Sequence, residues 1–96
     1  MRVPARDSDL GRDLAICARH VANMDEIGLT PRQKVIARSL IRCPAGLHPV
    51  YLYYTDRLDY NQIGEILGIH TSNVSRAIQR AVRKVYQGLE LVDGIV

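Results

Sequence analysis

The sequence contains no tryptophan and no phenylalanine, and only two cysteines among its 96 residues. Cys17 and Cys43 are too few for a disulfide scaffold and lack the C-x-x-C spacing of zinc or redox sites. No run approaches the ~18 consecutive apolar residues of a transmembrane helix, so no membrane partner is expected. The N-terminal MRVPARDSD has no apolar segment behind it, and no secretory signal is visible. His20, His48 and His70 are dispersed and form no H-E-x-x-H type pattern, so neither a metal site nor a cofactor is expected. No nucleophile–base pair, glycine-rich phosphate loop or supported pair of carboxylates is visible, which argues against an enzyme. With tryptophan and phenylalanine both absent, Tyr51, Tyr53, Tyr54, Tyr60 and Tyr86 mostly supply the aromatic part of the core.

What remains is an ordinary globular composition, 47% hydrophobic and 24% charged, on a length that suits one domain. The expectation is a single small cytoplasmic domain. Its formal charge of +3 is too small to name a partner, but it is unevenly spread. Residues 1–30 carry −1, residues 31–59 carry +3 and residues 60–96 carry +1. Within the last segment Arg76, Arg80, Arg83 and Lys84 crowd nine positions, and no acid lies between Glu65 and Glu90.

Apolar spacing predicts helices throughout. Leu10, Leu14, Cys17, Val21 and Met24 alternate spacings of four and three, one stripe of a helix over 8–24 that Ser8 or Asp7 can cap. The stripe suits either the domain's own core or the seam of a dimer. A second helix over 30–43 starts at Thr30-Pro31-Arg32-Gln33, with Thr30 as cap, Pro31 in the first turn and Gln33 closing a capping box. Val35, Ile36, Leu40 and Cys43 line its inner side, and Cys43-Pro44-Ala45-Gly46 ends it. Pro49 is expected to open a short tyrosine-bearing helix that runs from Val50 to about Arg57. No stretch reads as a strand, so the fold class is all-α, about five helices.

The last two helices form a recognisable unit over 50–88. Asp59 caps a helix over 60–67, and Gln62 can bond back to it. Gly64 permits close approach, Gly68 supplies a positive φ for a tight turn, and Ile69 is expected to turn into the core. A fifth helix over about 71–87 follows, with Gly88 as its stop and 89–96 as an apolar tail. Two helices joined by a short glycine turn make the DNA-binding helix-turn-helix, whose second helix enters the major groove. Val74, Ile78, Ala81 and Val85 face inward, which leaves Ser72, Asn73, Ser75, Arg76, Gln79, Arg80 and Arg83 outside. Short polar groups and a guanidinium near the helix start suit base edges, whereas Arg80, Arg83 and Lys84 suit phosphates. Tyr60 at its helix start and His70 beside the recognition helix are further candidates for phosphate contact.

The tyrosine-bearing helix, then D-Y-N-Q-I-G-E-I-L-G-I, then N-V-S-R-A-I-Q-R-A-V-R-K-V resembles the promoter-reading C-terminal domain of bacterial sigma factors and LuxR-type regulator domains. The resemblance spans residues 50–89, or 40 of the 96. It implies that Thr71, Ser72, Asn73, Ser75, Arg76 and Gln79 are base-facing and that Arg80 and Arg83 lie toward the backbone. His70 departs from the pattern, standing where a Ser or Thr cap is usual; either Thr71 caps one residue later or the helix start frays. Residues 1–46 fall outside the resemblance, and a whole sigma factor needs a further domain. The expected function is therefore a stand-alone, sequence-specific regulator of bacterial or phage type that binds double-stranded DNA. A homodimer is one candidate assembly, with the first helix or the apolar tail as its contact. Two alternatives share the fold: an adaptor that binds RNA polymerase or another protein, and a phage DNA-packaging or recombination accessory domain.

Overall fold

The computed structural model describes residues 2–93, which form five α-helices and no strand. Helix α1 spans Asp9–Ala22, and Ser8 caps it by accepting from the Gly11 N–H at 3.0 Å. Leu14, Cys17 and Ala18 are fully buried, so the stripe of α1 belongs to the domain's own core rather than to a seam between copies. The stripe ends earlier than its spacing predicts. The helix stops at Ala22, Met24 takes a left-handed φ of 54°, and its side chain is 95% exposed instead of inward.

Helix α2 spans Pro31–Ile41 and carries the capping box predicted for it. Thr30 accepts from the Gln33 N–H at 3.1 Å, and Gln33 Oε1 accepts from the Thr30 N–H at 3.0 Å. Gln33 also donates to Asp13 at 3.2 Å, which ties α2 to α1. The Cys17 thiol donates to the Gln33 carbonyl at 3.3 Å, and burial, then the nearby Asp13 charge, push its pKa up to about 12.

The next helix begins sooner than expected. Helix α3 spans Pro44–Val50, with Pro44 in its first turn, so Pro44 opens this helix and Pro49 lies inside it. The chain then widens into a π-helical turn over Tyr51–Thr55, where the sequence predicts ordinary helix to Arg57. Gly46 allows α3 to lie directly on the last helix: a Cβ there would sit 2.6 Å from Ala81 Cβ and 2.7 Å from the Ala77 carbonyl.

Helix α4 spans Tyr60–Leu67 and α5 spans Thr71–Asp93. Helix α5 does not stop at Gly88. It runs through it because Leu89, one turn beyond Val85, is also buried. Gly88 instead lets α2 approach, since a Cβ there would meet Ser39 Oγ at 2.7 Å. The expected tail is thus helical as far as Asp93, and its remainder, 94–96, lies outside the described residues. One core joins all five helices, with Leu14, Ile36, Leu40, Val50, Ile63, Ile78 and Val85 at its centre.

Candidate nucleic-acid interface

The helix-turn-helix is fixed at both of its joints. Asp59 accepts from the Gln62 N–H at 2.8 Å, and Gln62 Oε1 accepts from the Asp59 N–H at 3.0 Å, a complete capping box at the start of α4. Gly68 turns the chain at φ 68°, the left-handed conformation that glycine adopts without strain. The Ile69 N–H then donates to the Gly64 carbonyl at 3.0 Å, and a Cβ on Gly64 would lie 2.7 Å from the Ile69 carbonyl. The backbone of Ile69 therefore occupies the space against α4, and its side chain is left 39% exposed rather than turned into the core.

His70 caps α5 itself. Its carbonyl accepts from the Asn73 and Val74 N–H groups at 2.9 and 3.2 Å. Its ring Nδ1 accepts from the Ser72 N–H at 3.1 Å and lies 2.8 Å from Ser72 Oγ, an arrangement that places the ring proton on Nε2. Thr71 does not cap; its hydroxyl donates to Asn61 Oδ1 across the turn at 2.9 Å. Thr71 is half-buried, and Asn61 remains exposed on α4. No sequence motif marks Asn61; its one signal is its place beside Tyr60 at the start of the first helix of the pair.

Along α5 the inner and outer faces separate cleanly. Val74, Ile78, Ala81, Val82 and Val85 are fully buried, with Ala77 and Leu89 beside them. On the other side Ser72, Asn73, Arg76, Arg80, Arg83 and Lys84 are exposed. No ion pair among the described residues engages any of these cations. Ser75 and Gln79 are half-buried and hold one another, Gln79 Nε2 donating to Ser75 Oγ at 3.2 Å. The Gln79 amide oxygen remains available as an acceptor. Arg76, Arg80 and Arg83 fall four and three residues apart, which sets them in one row opposite the buried stripe.

Tyr60 is more enclosed than a phosphate-facing side chain at a helix start suggests. Its ring lies 5.1 Å from that of Tyr53, and burial, followed by Tyr53, raises its pKa while Arg6 opposes the rise. Arg6 lies over the Tyr53 ring at 4.0 Å and donates to the carbonyls of Tyr53 and Leu58. Tyr54 adds a bond from its hydroxyl to the Pro4 carbonyl at 2.8 Å. The segment before α1 is thus strapped to the chain between α3 and α4, where Arg6 shares a cleft with Tyr60, Asn61 and Thr71. Nothing in the sequence pattern marks Arg6 for this task, because its partners are backbone carbonyls.

Residues 48–85 match the family model described as sigma-70, region 4. Sigma-70 region 4 is a DNA-binding helix-turn-helix family, not an enzymatic one. Its match begins within α3, takes in the π-helical turn and α4, and ends inside α5 at the last fully buried valine of the stripe. The resemblance to sigma factors read from residues 50–89 is borne out over most of that span. No curated protein and no solved structure matches the chain. Among the described residues no helix is long and apolar enough to cross a membrane, and no group of three or more His, Cys, Asp or Glu is placed to hold a metal ion.

Proposed function

We propose that the protein is a sequence-specific regulator of transcription that binds double-stranded DNA with the start of α5 in the major groove. The observation that carries this reading is the outer face of α5. Base-sized polar groups and Arg76 lie in its first two turns, uncompensated cations lie immediately behind them, and both sit within the region 4 match. Asn73, Arg76 and the Gln79 amide are the base-reading groups, with Ser72 and Ser75 beside them. Thr71 acts through Asn61, setting the height of the helix start. Arg80, Arg83 and Lys84 hold phosphates and fix register without reading sequence. His70 reaches a phosphate through Nε2–H, since Nδ1 is occupied, and Tyr60 contributes only its hydroxyl edge. Such a protein works where bacterial or phage DNA is transcribed, in the cytoplasm. Dimerisation falls to the exposed Leu91 and Val92 at the end of α5, the first helix being committed to the core. Selection of binding sites from random duplex DNA tests the reading. A shared motif a few base pairs long is expected, and recovery of unrelated sequences at equal frequency would refute it.

One observation favours a second reading, an adaptor for RNA polymerase or another protein. Val21, Met24, Ile41, Pro44 and Leu47, with His20, Asp25 and Glu26, line a largely apolar cleft of about 480 Å³ on the side of α1–α3, and Ile27 nearby is 83% exposed. Exposed apolar patches of this kind mark protein contacts. Nuclease-resistant co-purification with polymerase, lost in Met24→Asp, would favour it over the first reading.

A further inference from the structure

Helix α2 lies outside the region 4 match, yet it carries a cationic row of its own. Lys34, Arg38 and Arg42 fall at successive spacings of four, so they share one face, and no acid lies on α2. The opposite face holds the buried Ile36, Ala37, Ser39 and Leu40. Arg42, at the end of this row, comes together with Lys84 of α5. The two line one cleft of about 160 Å³ with Ser39, Gln87, Gly88 and Leu91, and no carboxylate lines it. Both cations are exposed, and neither has an ion-pair partner among the described residues. Glu90 lies about 120° around α5 from Lys84 at 100° per residue and does not line the cleft.

The position of this cleft relative to α5 is informative. Lys84 lies eight residues beyond Arg76, about 12 Å along the helix at 1.5 Å per residue. A helix that enters the major groove by its first turns goes in about 8.5 Å deep, so a residue ~12 Å further back meets the rim, where the sugar–phosphate backbone runs. Helix α2 packs on α5 where Ser39 stands opposite Gly88, and Arg42 lines the same cleft as Lys84.

We infer that Arg42 and Lys84 together clamp a backbone phosphate of the duplex at the groove's edge, with Arg38 extending the contact to the next phosphate. The clamp makes α2 part of the DNA-binding surface, and it rests on the reading of α5 as a recognition helix. Its ligand is the phosphodiester backbone, so it adds affinity and salt dependence but no base preference.

The test compares the full chain with Arg38→Gln/Arg42→Gln, two exposed substitutions outside the core, checked for unchanged melting temperature. Binding to the selected site is titrated with salt. Removing two phosphate contacts should reduce the slope of log K against log salt by about 1.8, so the wild type loses about 12-fold more affinity than the variant between 50 and 200 mM salt. The preferred sequence should be the same for both proteins. Shortening the duplex to remove the flanking phosphates should weaken the wild type and leave the variant unaffected. An unchanged salt slope, or equal sensitivity to shortening, would overturn the clamp while leaving the regulator reading intact. An altered base preference in the variant would overturn it too, by placing Arg42 on a base edge. If the wild type itself binds no duplex, the functional reading fails and the clamp fails with it.

Discussion

Replacing Gly88 by alanine tests how α2 is fastened to α5, the contact that brings Arg42 beside Lys84. A Cβ at this position would lie 2.7 Å from Ser39 Oγ and 3.3 Å from Val35 Cγ1. Ser39 is buried and its hydroxyl donates to the Val35 carbonyl at 2.9 Å, so the oxygen yields only by losing that bond or by pushing α2 outward. Crowding of this kind costs about 1–3 kcal/mol. Alanine regains about 1 kcal/mol over glycine in a helix interior, which leaves a net loss of about 0–2 kcal/mol. Ser39→Ala removes the obstructing oxygen, and in that background Gly88→Ala should be neutral or stabilise by up to about 1 kcal/mol. Thermal unfolding of the four proteins in this cycle reads the coupling, since 1 kcal/mol moves the Tm of a domain this size by about 4–8 °C. Equal gains in both backgrounds would show that the contact is absent. Equal losses in both would mean that Gly88 serves as a left-handed helix stop, and the continuous α5 would be refuted.

Two further outcomes follow from buried groups. Arg6→Ala removes two charge-assisted bonds to carbonyls and a stacked ring, and should lower stability by about 1–3 kcal/mol in denaturant unfolding; a change near zero would show that the N-terminal strap carries no load. Cys17 is a neutral thiol in the folded protein, with its pKa raised from 9.0 to about 12 by burial and Asp13. An unfolded chain therefore releases this proton first, so stability is intact below about pH 9 and falls as pH rises toward 12. Burial also raises the pKa of Tyr54, which adds to the same alkaline loss. Unfolding measured between about pH 8 and 11 should show the onset of that decline, with a shallower fall in Cys17→Ala; identical slopes would contradict it.

The elements with local chemical signals were readable from the sequence. Ser8, Thr30 and Asp59 each cap as their neighbours demand, and Gly68 turns where a positive φ is needed. The inner stripe of α5 was legible from its spacing, although Ala77 and Val82 widen it. The misreadings have a common source, because each depends on what a residue meets across the fold. Pro44 and Pro49 suit a first helical turn equally, and only the packing of Gly46 on Ala77 and Ala81 shows which opens the helix. Gly88 reads as a stop until Ser39 stands opposite it. Ile69 reads as core until its backbone takes the space beside Gly64. Within the candidate interface, the outward row of arginines was visible from residue types alone. The engagement of Thr71 with Asn61 and of His70 Nδ1 with Ser72 was not, since both are choices of hydrogen-bond partner.

The central claim is that Arg76 reads a base while the cations behind it hold the backbone. Fluorescence polarisation with Arg76→Ala, on the selected site and on random duplex at one salt concentration, tests it most directly. A base contact is worth about 1–3 kcal/mol, so affinity for the selected site should fall roughly 5- to 150-fold while binding to random DNA changes little. Equal losses on both duplexes would contradict the account.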